Sequence, residues 1–173
     1  MGITFSIRSE TVADYDVIYR VVREAFASAA HCDGNEQDLV VALRKGEAYI
    51  PELALVAIQD EQIVGHILFT RATIEGRPTL ALAPLAVLPE SQRQGIGSAL
   101  VREGHRIAAA MGFDSCVVLG DPAYYARFGY VPASRFGIRA PFPVADANFM
   151  VVRLQPEVDL PIGMVCYAAA FGL

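Results

Sequence analysis

The chain has no apolar run approaching the ~18 consecutive residues that a membrane-spanning helix requires. Its beginning, with Thr4, Arg8 and Glu10 around a short apolar stretch, lacks the basic start and long apolar segment of a secretory signal. Positive charge is scarce: 14 Lys and Arg against 19 Asp and Glu leave a formal net charge of −5. A nucleic-acid binder needs a basic face to meet phosphates, and this balance argues against that class. Cysteine is sparse and odd in number. Cys32, Cys116 and Cys166 have no metal-ligand spacing, and the apolar surroundings of Cys116 and Cys166 suit buried structural thiols. No internal repeat, low-complexity tract or linker interrupts the 173 residues. The expectation is a cytoplasmic protein with reduced thiols and no metal. It would form a single domain over residues 1–173, with a core over about 3–154 and an apolar tail over 156–173.

What is present is apolar and periodic. Hydrophobic residues make up 54% of the chain and charged residues 19%, with a mean hydropathy of +0.37, so disorder is excluded and a well-buried sheet is implied. Ile3 to Ile7 alternates as a strand does. Thr11 and Asp14 suit the start of a helix carrying Val17, Ile18, Val21, Val22 and Ala25 at helical spacing and ending near Ala30. After the turn residues Asp33-Gly34-Asn35, Glu36 to Arg44 reads as a second short helix.

Leu53–Ile58 and Ile63–Thr70 form an expected antiparallel hairpin, and Glu75-Gly76-Arg77-Pro78 turns the chain into a strand from Thr79 to Leu88. A helix opening at Gly95 runs to about Met111, with Ile96, Leu100, Ile107 and Met111 as its apolar stripe. Cys116–Leu119 reads as a central strand, Ala123–Phe128 as a short helix, and Tyr130–Ile138 and Phe149–Leu154 as further strands around a Pro-rich loop. The order of these elements implies a mixed α/β sheet. The tail from Gly163 to Leu173 suits either a last strand over the protein's own core or a surface joining two copies.

The chemistry concentrates between Leu82 and Leu100. An apolar strand stops at Pro89, a polar turn follows, and Gly95 and Gly97 open a helix. A helix start presents unpaired N–H groups and about half a positive charge, which suits phosphate. A dinucleotide-binding turn would place a third glycine at position 100, where Leu100 stands, and a P-loop would need a lysine in the loop, where none is found.

The remaining pattern, Gln92-x-x-Gly95-x-Gly97 after Leu85-Ala86-Val87-Leu88-Pro89, resembles the Gcn5-related N-acetyltransferase (GNAT) superfamily, whose acetyl-CoA signature is Gln/Arg-x-x-Gly-x-Gly/Ala at a strand–helix junction. Gly120-Asp-Pro-Ala-Tyr-Tyr-Ala-Arg-Phe-Gly-Tyr130 is similar to the family's second element, a tyrosine four residues before Gly-aromatic. Together the two motifs are specific, and the order of elements extends the likeness over roughly residues 3–154. Among members, the chain looks most like small bacterial acetyltransferases without assigned substrates.

The resemblance implies an α/β (α+β) fold whose central sheet is mixed but mostly antiparallel, and acetyl-CoA as cosubstrate. It also implies transfer to a primary amine of a small molecule, peptide or protein by direct attack in a ternary complex, and homodimers are common in the family. Backbone groups of Leu85, Ala86 and Val87 would pair with the pantetheine arm and thioester. Gln92, Arg93, Gln94, Gly95, Ile96, Gly97 and Ser98 would wrap the pyrophosphate, with Arg93 either adding charge or solvated. Tyr125 would protonate the leaving thiolate, with Tyr124 one position earlier as the alternative; a tyrosine hydroxyl, ordinarily titrating near pH ~10, stays protonated at neutral pH. Asp121-Pro122 stand where the family often has an asparagine that contacts pantetheine.

The general base is open among Glu24, Glu36, His31 and a water chain. His66 reads as a satisfied structural histidine in a strand, and His105 as an exposed mid-helix residue. A non-catalytic acyl-CoA or acyl-carrier binding module is the alternative function.

Overall fold

The computed structural model describes residues 2–29 and 32–173. The elements in order are β1 (Ser6–Ser9), α1 (Tyr15–Phe26), α2 (Glu36–Arg44), β2 (Tyr49–Gln59), β3 (Gln62–Ile74), β4 (Arg77–Val87), α3 (Ile96–Ala110), β5 (Ser115–Leu119), α4 (Pro122–Tyr125), β6 (Val131–Pro132), β7 (Ile138–Arg139), β8 (Phe149–Arg153) and β9 (Gly163–Cys166). The sheet runs β1-β2-β3-β4-β5-β8-β6, parallel along this path only at β4–β5, and β9 pairs antiparallel with β3 and parallel with β7 among the described residues. The mixed, mostly antiparallel sheet expected from the sequence is therefore present.

Local chemistry accounts for the elements. The Asp14 carboxylate accepts from the Thr11 N–H at 2.7 Å and from both nitrogens of the Arg8 fork, fixing the chain at the entry to α1. Two-residue turns close the first two hairpins: Asp60-Glu61 with φ of 49° and 63°, and Glu75-Gly76 with 48° and 78°. Such left-handed pairs match the twist of the strands they join.

Alternation along the strands divides the core. Leu53, Leu55, Ile67 and Phe69 face α3, where Ile96, Leu100, Val101 and Ala108 pack on them. Ala54, Val56, Leu68 and Ala86 face Ile18 and Val22 of α1 and Val40 and Leu43 of α2. Of the expected stripe of α3, Ile96 and Leu100 are buried and Ile107 packs partly against the core, while Val101 and Ala108 complete the buried side and Met111 is exposed.

Several boundaries differ from the sequence expectations. β1 starts at Ser6 rather than Ile3, and α1 ends at Phe26; the expected end at Ala30 lies outside the described residues. Tyr130–Ile138 is not one strand, because Pro132 lacks the N–H that would extend the ladder with β8; a 3₁₀ turn over Ala133–Phe136 follows before β7. The tail contributes β9, which takes Thr73 and Ile74 of β3 where the pairing with β2 has ended at Thr70. Along β9 burial alternates, so Val165 is covered and Cys166 is exposed, unlike the buried thiol expected there; Cys116 is fully buried.

Candidate active site

The site begins with a split in the sheet. Leu80, Ala81 and Leu82 of β4 pair with Cys116, Val117 and Val118 of β5, and the pairing then stops. On the other edge, Phe69 pairs with Leu82 but Ile67 with Leu85, so β4 carries one extra residue at Ala83-Pro84. This bulge turns the end of β4 away from β5. Leu88 N–H donates to Val64 O at 2.8 Å, which fixes the alternation beyond the bulge. The backbone groups of Ala86 are committed to β3 opposite His66, while those of Leu85 and Val87 face the gap. Gln92 already uses one of them, its Nε2 donating to Val87 O at 3.1 Å.

Past β4, Arg93 and Gly95 adopt left-handed backbone, with φ of 61° and 84°. Gly95 meets nothing within 4 Å where a Cβ would stand, so its glycine answers to the turn itself. The first helical bond of α3 runs from Ala99 N–H to Gly95 O at 3.0 Å. No helical carbonyl faces the N–H groups of Ile96, Gly97 and Ser98, and no acidic side chain occupies this first turn. A Cβ at Gly97 would lie 2.6 Å from the Tyr124 hydroxyl, so this glycine makes room for Tyr124 rather than directly for a ligand.

A cavity of about 750 Å³ and one of about 530 Å³ meet at Leu85, which lines both. The smaller holds Val87, Gln92, Gly95, Gly97 and Ser98, with Arg93 and Arg127 supplying positive charge. Arg127 was missed in the sequence. It is held by Nε donating to Tyr124 O at 3.2 Å, with its guanidinium 4.3 Å from the centre of the Tyr124 ring. Gln94 and Ile96 do not line this cavity. Gln94 donates to Glu90 O and accepts from Gln59, and Ile96 is buried in the core.

The two tyrosines divide between the cavities: Tyr124 lines the smaller and Tyr125 the larger. Tyr125 is 9% exposed and stacks edge-on with Tyr124, Phe128 and Tyr130. Burial, with Tyr124 and Cys116 nearby, raises its hydroxyl above the usual tyrosine range. No hydrogen bond to that hydroxyl is present among the described residues. Asp121 accepts from Ala123 N–H at 2.9 Å and so caps α4, with Pro122 at the first helical position. Asn148, also missed in the sequence, donates from side-chain Nδ2 to Gly120 O at 3.0 Å and accepts from Gly120 N–H at its backbone carbonyl at 2.9 Å, locking the loop that presents Tyr125.

Of the candidate bases, Glu36 lines the larger cavity; Glu24 is exposed and does not line it, and His31 lies outside the described residues. Glu36 Oε1 accepts from Asp33 N–H at 3.0 Å, while Oε2 is buried without a partner among the described residues.

His66 is structural. Its fully buried Nε2 lies 2.9 Å from Glu10 Oε2, although Nδ1 finds no partner among the described residues. Burial lowers the His66 pKa against the opposing pull of Glu10. His105 is half-buried, not exposed: Nε2 lies 2.9 Å from the Tyr130 hydroxyl, and burial lowers its pKa to about 4. Among the described residues no group of His, Cys, Asp or Glu side chains could hold a metal ion, and no helix is long and apolar enough to cross a membrane.

A family profile described as the acetyltransferase (GNAT) domain matches residues 51–132, which span β2 to β6. The Escherichia coli protein named uncharacterized N-acetyltransferase YjhQ is 44% identical over 132 residues, covering 73% of each chain. The crystal structure of E. coli YhbS, a GNAT family N-acetyltransferase in complex with CoA, superposes with a TM-score of 0.90 at 31% identity, covering 100% of this chain and 94% of that one. A GNAT family acetyltransferase from Brucella melitensis in complex with acetyl-CoA gives a TM-score of 0.80 at 36% identity, covering 97% and 98%.

Proposed function

The chain belongs to the GNAT family of acetyltransferases and is an N-acetyltransferase; from that premise we propose that it moves the acetyl group of acetyl-CoA to a primary amine by direct attack in a ternary complex. The observation that carries the reading is the meeting of two cavities at the free backbone edge of Leu85, one lined by a helix N-terminus and arginines, the other by Tyr125.

The residues present fit acetyl-CoA. The N–H groups opening α3, with Arg93 and Arg127, receive the pyrophosphate. The open edge of Leu85 and Val87 pairs with the pantetheine amides as a strand would. The N–H of Leu85, at the mouth of both cavities, is placed to stabilise the negative charge that develops on the thioester carbonyl oxygen. The larger cavity takes the amine.

In the reaction the C–N bond forms and the C–S bond breaks. An ammonium acceptor gives up one proton before attack, to a carboxylate of the cavity or to water, and a second as the amide forms. One of these two is released; the other restores the Tyr125 hydroxyl, whose own proton has gone to the departing thiolate.

The direct test is release of free thiol from acetyl-CoA against a panel of primary amines, together with a rise in Tm on adding acetyl-CoA. Thiol release that depends on the amine is the expected result; a Tm unmoved by acetyl-CoA would overturn the reading. Within it, Arg127→Ala is expected to raise the KM for acetyl-CoA about fivefold with kcat held, the ~1 kcal/mol of a partly exposed charge contact.

A further inference from the structure

Resting on the acetyl-transfer reading, we infer that the acceptor is a cationic primary amine on an apolar body, an aralkyl or alkyl amine rather than a zwitterionic amino acid or a hydrophilic amine. The larger cavity separates two kinds of wall. One is apolar and aromatic: Phe142, Tyr167 and Phe171 form a stacked series, with ring centres 6.0 Å and 5.1 Å apart, and Phe26 of α1 and Leu39 of α2 add to the apolar lining. The other is acidic, where Asp33, Glu36 and Asp38 come together at the start of α2. No lysine or arginine lines this cavity among the described residues.

Part of that negative charge has local work. Asp38 accepts from the Tyr19 hydroxyl at 2.9 Å, and carboxylates in a first helical turn complement the helix dipole. Glu36 is different, because Oε1 takes the Asp33 N–H and Oε2 is left buried with no donor among the described residues. Glu36 therefore carries its charge with no cation beside it among the described residues, and with Asp33 and Asp38 it makes this wall negative. An ammonium entering the cavity is attracted to that wall, while a second carboxylate on the acceptor would be repelled. At about 750 Å³ the cavity also has room for the body behind the amine, and burying that body against the aromatic series supplies affinity that a small hydrophilic amine cannot gain.

One chemistry has two sources, a free amine or a peptide whose N-terminal residue is apolar, and the experiment separates them. With acetyl-CoA saturating, thiol release is measured for 2-phenylethylamine, phenylalanine, ethanolamine and a phenylalanyl-glycine amide. 2-Phenylethylamine is expected to exceed phenylalanine and ethanolamine by roughly 30-fold or more in kcat/KM. Whichever of it and the peptide amide is preferred assigns the source. Glu36→Gln is expected to lower kcat/KM for 2-phenylethylamine at least tenfold, Glu36→Asp to recover part of it, and both to keep the KM for acetyl-CoA within twofold. Retained stabilisation by acetyl-CoA shows that the variants fold. If phenylalanine or ethanolamine matches 2-phenylethylamine, or Glu36→Gln leaves the preference intact, the acceptor class is wrong while acetyl transfer stands. Turnover of no amine by a protein that binds acetyl-CoA overturns both.

Discussion

Tyr125→Phe is expected to lower kcat by about 10²-fold or more while the KM for acetyl-CoA stays within twofold, the loss that follows removal of a positioned general acid. The exchange isolates the hydroxyl. The ring, which packs against Tyr124, Phe128 and Tyr130, is kept, and the hydroxyl makes no hydrogen bond among the described residues whose loss would unsettle the fold. Thermal unfolding of the variant should therefore sit within a few degrees of the parent. Because burial raises the Tyr125 pKa, the hydroxyl remains protonated throughout the working range. The acid limb of the pH–rate profile then belongs to the amine and the group that takes its proton, and it should be unchanged in Tyr125→Phe.

Tyr124→Phe serves as the control. Tyr124 lines the smaller cavity with its hydroxyl against the first turn of α3, so its loss is expected in the KM for acetyl-CoA and not in kcat. A kcat loss in Tyr124→Phe with Tyr125→Phe unimpaired would exchange their roles.

The turns and the helix start around the candidate site were legible because they are local. The Gln92–Ser98 turn, the turn Glu75-Gly76 and the helix from Gly95 each depend on neighbours in sequence, and the structure places them where the residues indicate. Two features of the same stretch were not legible. The alternation that commits Ala86 to β3 and opens Leu85 and Val87 depends on a bulge counted against another strand. The separation of Tyr124 from Tyr125 depends on how α4 is tethered, and Asn148 does part of that from 28 residues away.

His105 was misread for a simpler reason. It falls between Val101 and Ala108 on the buried side of α3, where Gly104 carries no side chain to mark the stripe, and its partner Tyr130 is 25 residues away. In the sequence Asp33 is a turn residue and Glu36 one of several candidate bases, with nothing local to join them with Asp38 into an acidic wall. Only the folding of the loop after β7 and of the tail over it makes that wall one side of a cavity.

The largest stability effect is expected far from the chemistry, at Glu10. Its side chain is 1% exposed and accepts from Arg44 at 2.8 and 2.9 Å, from the Tyr49 hydroxyl at 2.7 Å and from His66 at 2.9 Å. Burial alone would raise the carboxyl, but the hydrogen bonds from His66, Arg44 and Tyr49 overcome it and hold its pKa at about 2. Glu10→Gln keeps the shape and leaves the Arg44 side chain, 7% exposed, without its counter-charge. Losing one partner of a buried pair costs about 3–5 kcal/mol, which for a chain of this size is a fall in Tm on the order of 10 °C.

The pH dependence has a definite sign. Glu10 has a lower pKa folded than unfolded, so its contribution is complete above the unfolded value of 4.5 and is lost as pH falls toward 2. His66 and His105 are also lowered on folding, and their contributions are complete above 6.5 and lost as the unfolded chain takes up protons below it. Urea unfolding of the parent should thus weaken in two stages, from about pH 6.5 and again from about 4.5. Glu10→Gln should keep the first stage and lose the part of the second that belongs to Glu10, on the order of 3 kcal/mol when complete. A variant whose Tm lies within 2 °C of the parent at pH 7 would show that the Glu10–Arg44 pair contributes little beyond its shape.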